Sequence, residues 1–156
     1  ESYIVNLTVL DANGAILGSM TKVLEPTEVN PPDLTGFNPQ TTFYVYYDAD
    51  GTEHSDIPIS EDPPENWYNY TYSNWANIVT RNNGAESYFV WIPRYQYKLN
   101  QTNQRAEVKF ILGTGTEKDP GYQIPEAFWW DKNDNGQEDK GEQLTGYWMS
   151  KYQLSN

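Results

Sequence analysis

The chain has no cysteine and a single histidine, His54, and both scarcities narrow what it can do. Without cysteine there is no disulfide scaffold, and a zinc site resting on cysteines or on two histidines is excluded. A nucleophile activated by histidine would depend on His54, which stands among polar residues beside a hairpin tip and reads as an exposed turn residue. Basic residues are also few. Ten Lys and Arg stand against 22 Asp and Glu, a net charge of −12, so a phosphate backbone would be repelled and nucleic acid is not an expected partner. No apolar run approaches the roughly 20 residues that span a bilayer, so no membrane span is expected. Gly113-Thr114-Gly115 lacks both the third glycine and the lysine of a phosphate-binding loop. The carboxylates are numerous, but nothing in the sequence pairs two of them across a cleft, and the chain does not read as an enzyme. It begins at Glu1 rather than Met with no legible secretion leader, which is the expectation for a processed or excised product.

What is abundant is aromatic and turn-forming. Thirteen Tyr, six Trp and five Phe, with eleven Gly and ten Pro, favour β structure with short connections. Residues 2–10 are β-branched and apolar, with Tyr3, Val5, Leu7 and Val9 on one face. They meet the turn Asp11-Ala12-Asn13-Gly14, and 15–17 and 22–24 return. Thr41 to Tyr47 is the clearest strand. It runs into Asp48-Ala49-Asp50-Gly51, a turn of the same pattern, with 52–59 as a polar partner. Asp48, Asp50 and Glu53 read as a plain turn rather than a second metal site. Residues 74–80 form a short helix or strand, and 86–92, 95–99 and 107–112 read as further strands. No segment carries a 3.6-residue apolar stripe over three turns. The expected fold is mainly β, an antiparallel β-sandwich-like domain with long loops and little helix. It divides into an N-terminal hairpin over 1–24, a Pro- and Asn-rich loop or linker over 25–40, and a main β domain over 41–156.

One stretch carries recognisable chemistry. Residues 131–142 place Asp131, Asn133, Asn135, Asp139 and Glu142 at positions 1, 3, 5, 9 and 12 of a loop, with Gly136 at position 6. That is the ligand order of the EF-hand calcium loop. Ca²⁺ takes six to eight oxygens at about 2.3–2.6 Å, so the chain must wrap tightly, and a glycine permits the sharp turn. In this reading Glu142 gives two oxygens, Asp131, Asn133 and Asn135 one each, Gln137 its backbone carbonyl, and Asp139 acts directly or through water. An Asn/Asp/Gly-rich surface turn is the plainer alternative, but a match at every ligand position favours calcium. The flanks, 127–130 and 144–149, are aromatic and apolar with strand character, so the loop is expected to join two extended segments rather than two helices.

Trp67, Trp75, Trp129 and Trp130, with nearby tyrosines, are candidates for a sugar-stacking platform, set against the commoner use of aromatics as β core. Three sequons, at Asn6, Asn69 and Asn100, are acceptor sites if the source organism N-glycosylates its surface proteins.

The wording Phe89-Val-Trp-Ile-Pro-Arg-Tyr-Gln-Tyr97, then Pro125-Glu-Ala-Phe128, then Leu144-Thr-Gly-Tyr-Trp-Met-Ser-Lys-Tyr152, resembles secreted and prepilin-like surface proteins of Gram-positive bacteria. The end of the chain, residues 147–156, is similar to the opening strand of formylglycine-generating-enzyme and C-type-lectin-like domains. It carries only that strand and, lacking cysteine, none of the enzyme family's redox chemistry. The first resemblance implies an exported surface protein. Acidic composition suits calcium-rich surroundings, and strand-like sequence at both ends, 3–10 and 147–154, fits pairing with sheet edges of neighbouring subunits. The expectation is therefore an extracellular, prokaryotic, calcium-stabilised subunit of a pilus, filament or surface layer, polymerising with copies of itself. The alternative is a secreted carbohydrate-binding module that uses exposed tryptophans and calcium on surface glycans.

Overall fold

The structure, a computed structural model, describes residues 3–24, 27–137, 139 and 141–152. Sequence expectations touching Ser2, 25–26, Glu138 and 153–156 lie outside those residues. The fold is mainly β, antiparallel and sandwich-like, with no α-helix among the described residues. Among the described residues nine strands form three sheets, and there β1 (Tyr3–Leu10) pairs only with β2 (Ile16–Leu24). β4 (Glu53–His54), β3 (Thr42–Tyr47), β5 (Asn77–Asn82), β6 (Ala85–Pro93) and β9 (Gly146–Ser150) form a five-stranded sheet in the order β4-β3-β5-β6-β9. β7 (Tyr95–Asn100) and β8 (Arg105–Phe110) make the third sheet.

The two turns of shared sequence fold alike. In each, an Asp carboxylate accepts the backbone N–H four residues on, Ala15 to Asp11 at 2.8 Å and Thr52 to Asp48 at 2.9 Å. Gly14 and Gly51 take φ of 83° and 86°, a region that glycine enters without strain. Of the polar return over 52–59, only Glu53–His54 is a strand, joined by a bridge from Phe43 to Pro58, because prolines at 58 and beyond remove ladder donors. Residues 74–80 resolve in favour of a strand, β5.

Tyr44, Trp67, Tyr70, Ala76, Ile78 and Trp91 form the core, and Phe110 of the β7–β8 hairpin packs against it. Trp67 donates its indole N–H to Asn77 O at 2.7 Å, and Tyr70 its hydroxyl to Trp91 O at 2.9 Å, so these amphipathic rings are buried with their polar ends satisfied. Residues 27–40 have no regular element, as expected of a loop, yet they are stitched to the core. Buried Asn30 donates to Ile111 O and Thr145 O and accepts Gly113 N–H, while its carbonyl takes the Trp91 indole.

Arg94 is the corner where the chain leaves the five-stranded sheet for the third one. Its N–H bonds Thr145 O and its carbonyl accepts Ile111 N–H. The side chain is fully buried. The guanidinium spreads over the carbonyls of Phe128, Leu144 and Gly115 at 3.3, 3.2 and 3.1 Å. A planar fork of fixed donors suits such a hub, where a lysine point charge would not.

Candidate metal centre

The predicted loop begins and ends on that hub. Phe128 O takes both the Arg94 guanidinium and Leu144 N–H, the latter at 2.8 Å, and Trp130 N–H reaches Glu142 O at 3.0 Å. The base is therefore a short two-chain clamp. Of the two extended flanks that the sequence suggested, the downstream one holds a strand from Gly146 and the upstream one does not. Upstream, residues 126–128 form a single 3-10 turn, since Pro125 sets φ at −58° and Phe128 N–H closes back on Pro125 O. Trp129 and Gln143 make one isolated bridge, and β9 starts only at Gly146.

Inside the clamp the predicted ligands hold the loop by accepting its own amides. Asp131 takes Asn135 N–H at 3.0 Å and Gly136 N–H at 2.6 Å. Asn133 Oδ1 also takes Asn135 N–H, and Asn135 Oδ1 takes Gln137 N–H. Asp134, Gly136 and Gly141 have φ of 57°, 69° and 95°, three left-handed steps that coil the chain. The Asn133 and Asn135 amides both donate to Asp139 Oδ2, at 2.9 and 2.8 Å. These two bonds, Asn133 first, hold the Asp139 carboxyl below the usual carboxylate range. Glu142 is buried, and its carboxylate ties both ends of the loop together. Oε1 accepts Lys132 N–H, and Oε2 accepts Asp139 N–H and the Trp129 indole N–H, at 3.0, 3.2 and 3.3 Å.

The donor set is oxygen throughout, three carboxylates, two carboxamides and the Gln137 carbonyl, which is what a hard divalent cation takes. The oxygens that accept one N–H keep a second lone pair. Among the described residues, no three His, Cys, Asp or Glu side chains form one metal-sized group. In kind, these oxygen donors are ones that a calcium ion accepts. Comparison with known proteins finds no matching family model, no matching curated protein and no matching solved structure.

The four tryptophans do not share one surface. Trp67 is a core residue, 4% exposed, and is corrected from a platform candidate on that ground. Trp75 lies edge-on to Tyr70 and Phe110, with 36% of its surface open. Trp129 is half-buried against the loop, and Trp130 next to it is exposed at 61%. Of the sequons, Asn6 sits in β1 opposite Thr21. Asn69 caps a 3-10 turn through Thr71 N–H, and Asn100 accepts Thr102 N–H at the end of β7. Asp48 and Asp50 both hold Thr52 N–H, Glu53 accepts the Tyr47 hydroxyl, and Asp48 pairs with His54 at 3.0 Å, so that group is a turn with its own partners. Sequence reasoning quoted Arg94 without a role for it. Its one signal is a lone arginine inside the apolar run Phe89–Tyr95.

Proposed function

We propose that this chain is an extracellular structural subunit that calcium stiffens at 131–142 and that assembles with copies of itself into a pilus, filament or surface layer. The observation that carries this reading is the β1–β2 hairpin. A lone two-stranded hairpin is marginal in water and needs a third strand or a packing partner. Here Val9, Leu10, Ile16, Leu17 and Met20 are all exposed, at 51–69%, and β1 and β2 pair with no other strand among the described residues. Exposed apolar side chains gathered on one hairpin are what a site of protein association offers, and an uncovered strand edge is a template for pairing. The resemblance of 89–97, 125–128 and 144–152 to Gram-positive surface proteins supports the location, and the charge of −12 supports a setting where divalent cations are plentiful.

The test is electron microscopy of the native material with calcium and after chelation, beside the doubly substituted Ile16→Asp, Met20→Asp chain. The reading expects polymers that come apart in chelator and a double variant that stays monomeric with its melting temperature unchanged. Polymers identical in both cases, or a wild-type chain that remains monomeric at high concentration with calcium, would refute it.

A further inference from the structure

A cavity of about 140 Å³ opens beside the loop, walled by Trp129 and Pro125 and ringed by Thr116, Lys118, Glu126 and Gln143. It is smaller than the roughly 300–1,000 Å³ clefts that take drug-sized ligands, so it suits one ring or one chain end. Its lining sets a broad aromatic ring and a proline against a hydroxyl, an amide, an ammonium and a carboxylate. Lys118 and Glu126 are opposite in charge, so the mouth selects neither an anion nor a cation. An apolar wall with uncharged and mutually cancelling polar groups matches a neutral polyhydroxylated ring, whose C–H face lies on an aromatic while its hydroxyls find donors and acceptors at the rim.

We propose that this cavity is a binding site for a single neutral sugar residue, of a glycan chain or its end, and that calcium in the neighbouring loop tightens it. The link is the Trp129 indole N–H, which donates to Glu142 Oε2, an oxygen that the calcium reading assigns to the ion. Ion and sugar would thus both bear on the Trp129 side chain. Any effect of calcium on sugar affinity is matched by an equal effect of sugar on calcium affinity. This coupling rests on the calcium reading; the pocket itself does not. Trp130, the more exposed neighbour, does not line the cavity.

The full chain is titrated with glucose, galactose, mannose and N-acetylglucosamine in turn, by tryptophan fluorescence and saturation-transfer NMR, with calcium and with chelator. Calcium binding is read separately by calorimetry without sugar, so that a failure of the ion site is recognised as such. We expect saturable binding of at least one sugar at millimolar concentration. It should weaken at least about tenfold in Trp129→Ala and in the surface double variant Lys118→Ala, Glu126→Ala, and be retained in Trp130→Ala. The double variant removes only exposed side chains and keeps the test valid if Trp129→Ala fails to fold. Absence of binding by all four sugars to the calcium-loaded chain overturns the site, as does binding lost in Trp130→Ala but kept in the double variant. Equal sugar affinity with calcium and with chelator, where calorimetry shows the ion bound, overturns the coupling.

Discussion

At Gly146 a single hydrogen does what no side chain can. A Cβ there would stand 2.3 Å from Trp91 Cζ2 and 2.7 Å from Ile92 O, against the buried indole on one side and backbone on the other. Gly146→Ala is therefore expected to lower stability by about 1–3 kcal/mol, as overpacked cores do, visible as a drop in the denaturant midpoint. His54 gives a prediction of the opposite kind, at the surface. Its ring stacks on Tyr46 and its Nε2 meets Asp48, and the hydrogen bond to Asp48 raises its pKa above the ordinary value of 6.5 against the opposing pull of burial. A raised value in the folded state means that the protonated form is the one stabilised. The contribution is complete below about pH 6.5 and disappears as pH climbs through the higher folded value. An NMR titration should find the His54 midpoint above the usual one and lowered in Asp48→Asn; an unchanged midpoint in that variant would remove the cause assigned here. Neither residue announces its role in the sequence. Gly146 lies in a run, 144–149, that reads only as strand-like until the Trp91 ring is seen against it, and His54, expected to be exposed, is half-buried against Tyr46.

Among the elements, the strands were the legible part. β1, β3, β6 and β7 follow from alternation and β-branching, and the two Asp-Ala-[Asn/Asp]-Gly turns follow from their chemistry, because both signals are local. The downstream flank supplies β9 from Gly146, but the upstream flank was misread as a strand because Ala127–Trp130 has strand composition. Pro125 and the Arg94 guanidinium decide otherwise, the first locally and the second from a distance in sequence that no window captures. The ligand order of 131–142 was legible as spacing alone. The clamp at its base was not, since it consists of carbonyls that any sequence possesses. Arg94→Met keeps the volume but takes the guanidinium from three carbonyls and leaves Phe128 O with Leu144 N–H alone, so we expect a loss of about 2–3 kcal/mol in chemical denaturation. In the same variant, calcium affinity should fall, because the ends of the loop lose the group that holds them side by side. An Arg94→Met chain that is destabilised but binds calcium as before would separate the hub from the site.

On the scale of the whole molecule, 22 acidic residues against ten basic ones repel one another in the folded state, and the divalent ion proposed for the loop would relieve that repulsion. An ion that binds only the folded chain stabilises it by about 2.7 kcal/mol at a concentration a hundred times its Kd. The aromatic core and the layered β architecture are what the composition implied; the isolated hairpin with its apolar residues in water is the feature that composition does not announce, since patterning tells which face is apolar but not whether anything covers it. The most direct test of calcium as the element that locks this subunit is calorimetric titration of Ca²⁺ into the chelator-stripped chain, wild type beside Glu142→Gln. The account predicts a saturating heat for the wild type, accompanied by a higher melting temperature, and its loss in Glu142→Gln. Silence in the wild type at millimolar calcium, with an unmoved melting temperature, or an equal heat in both chains, would contradict it.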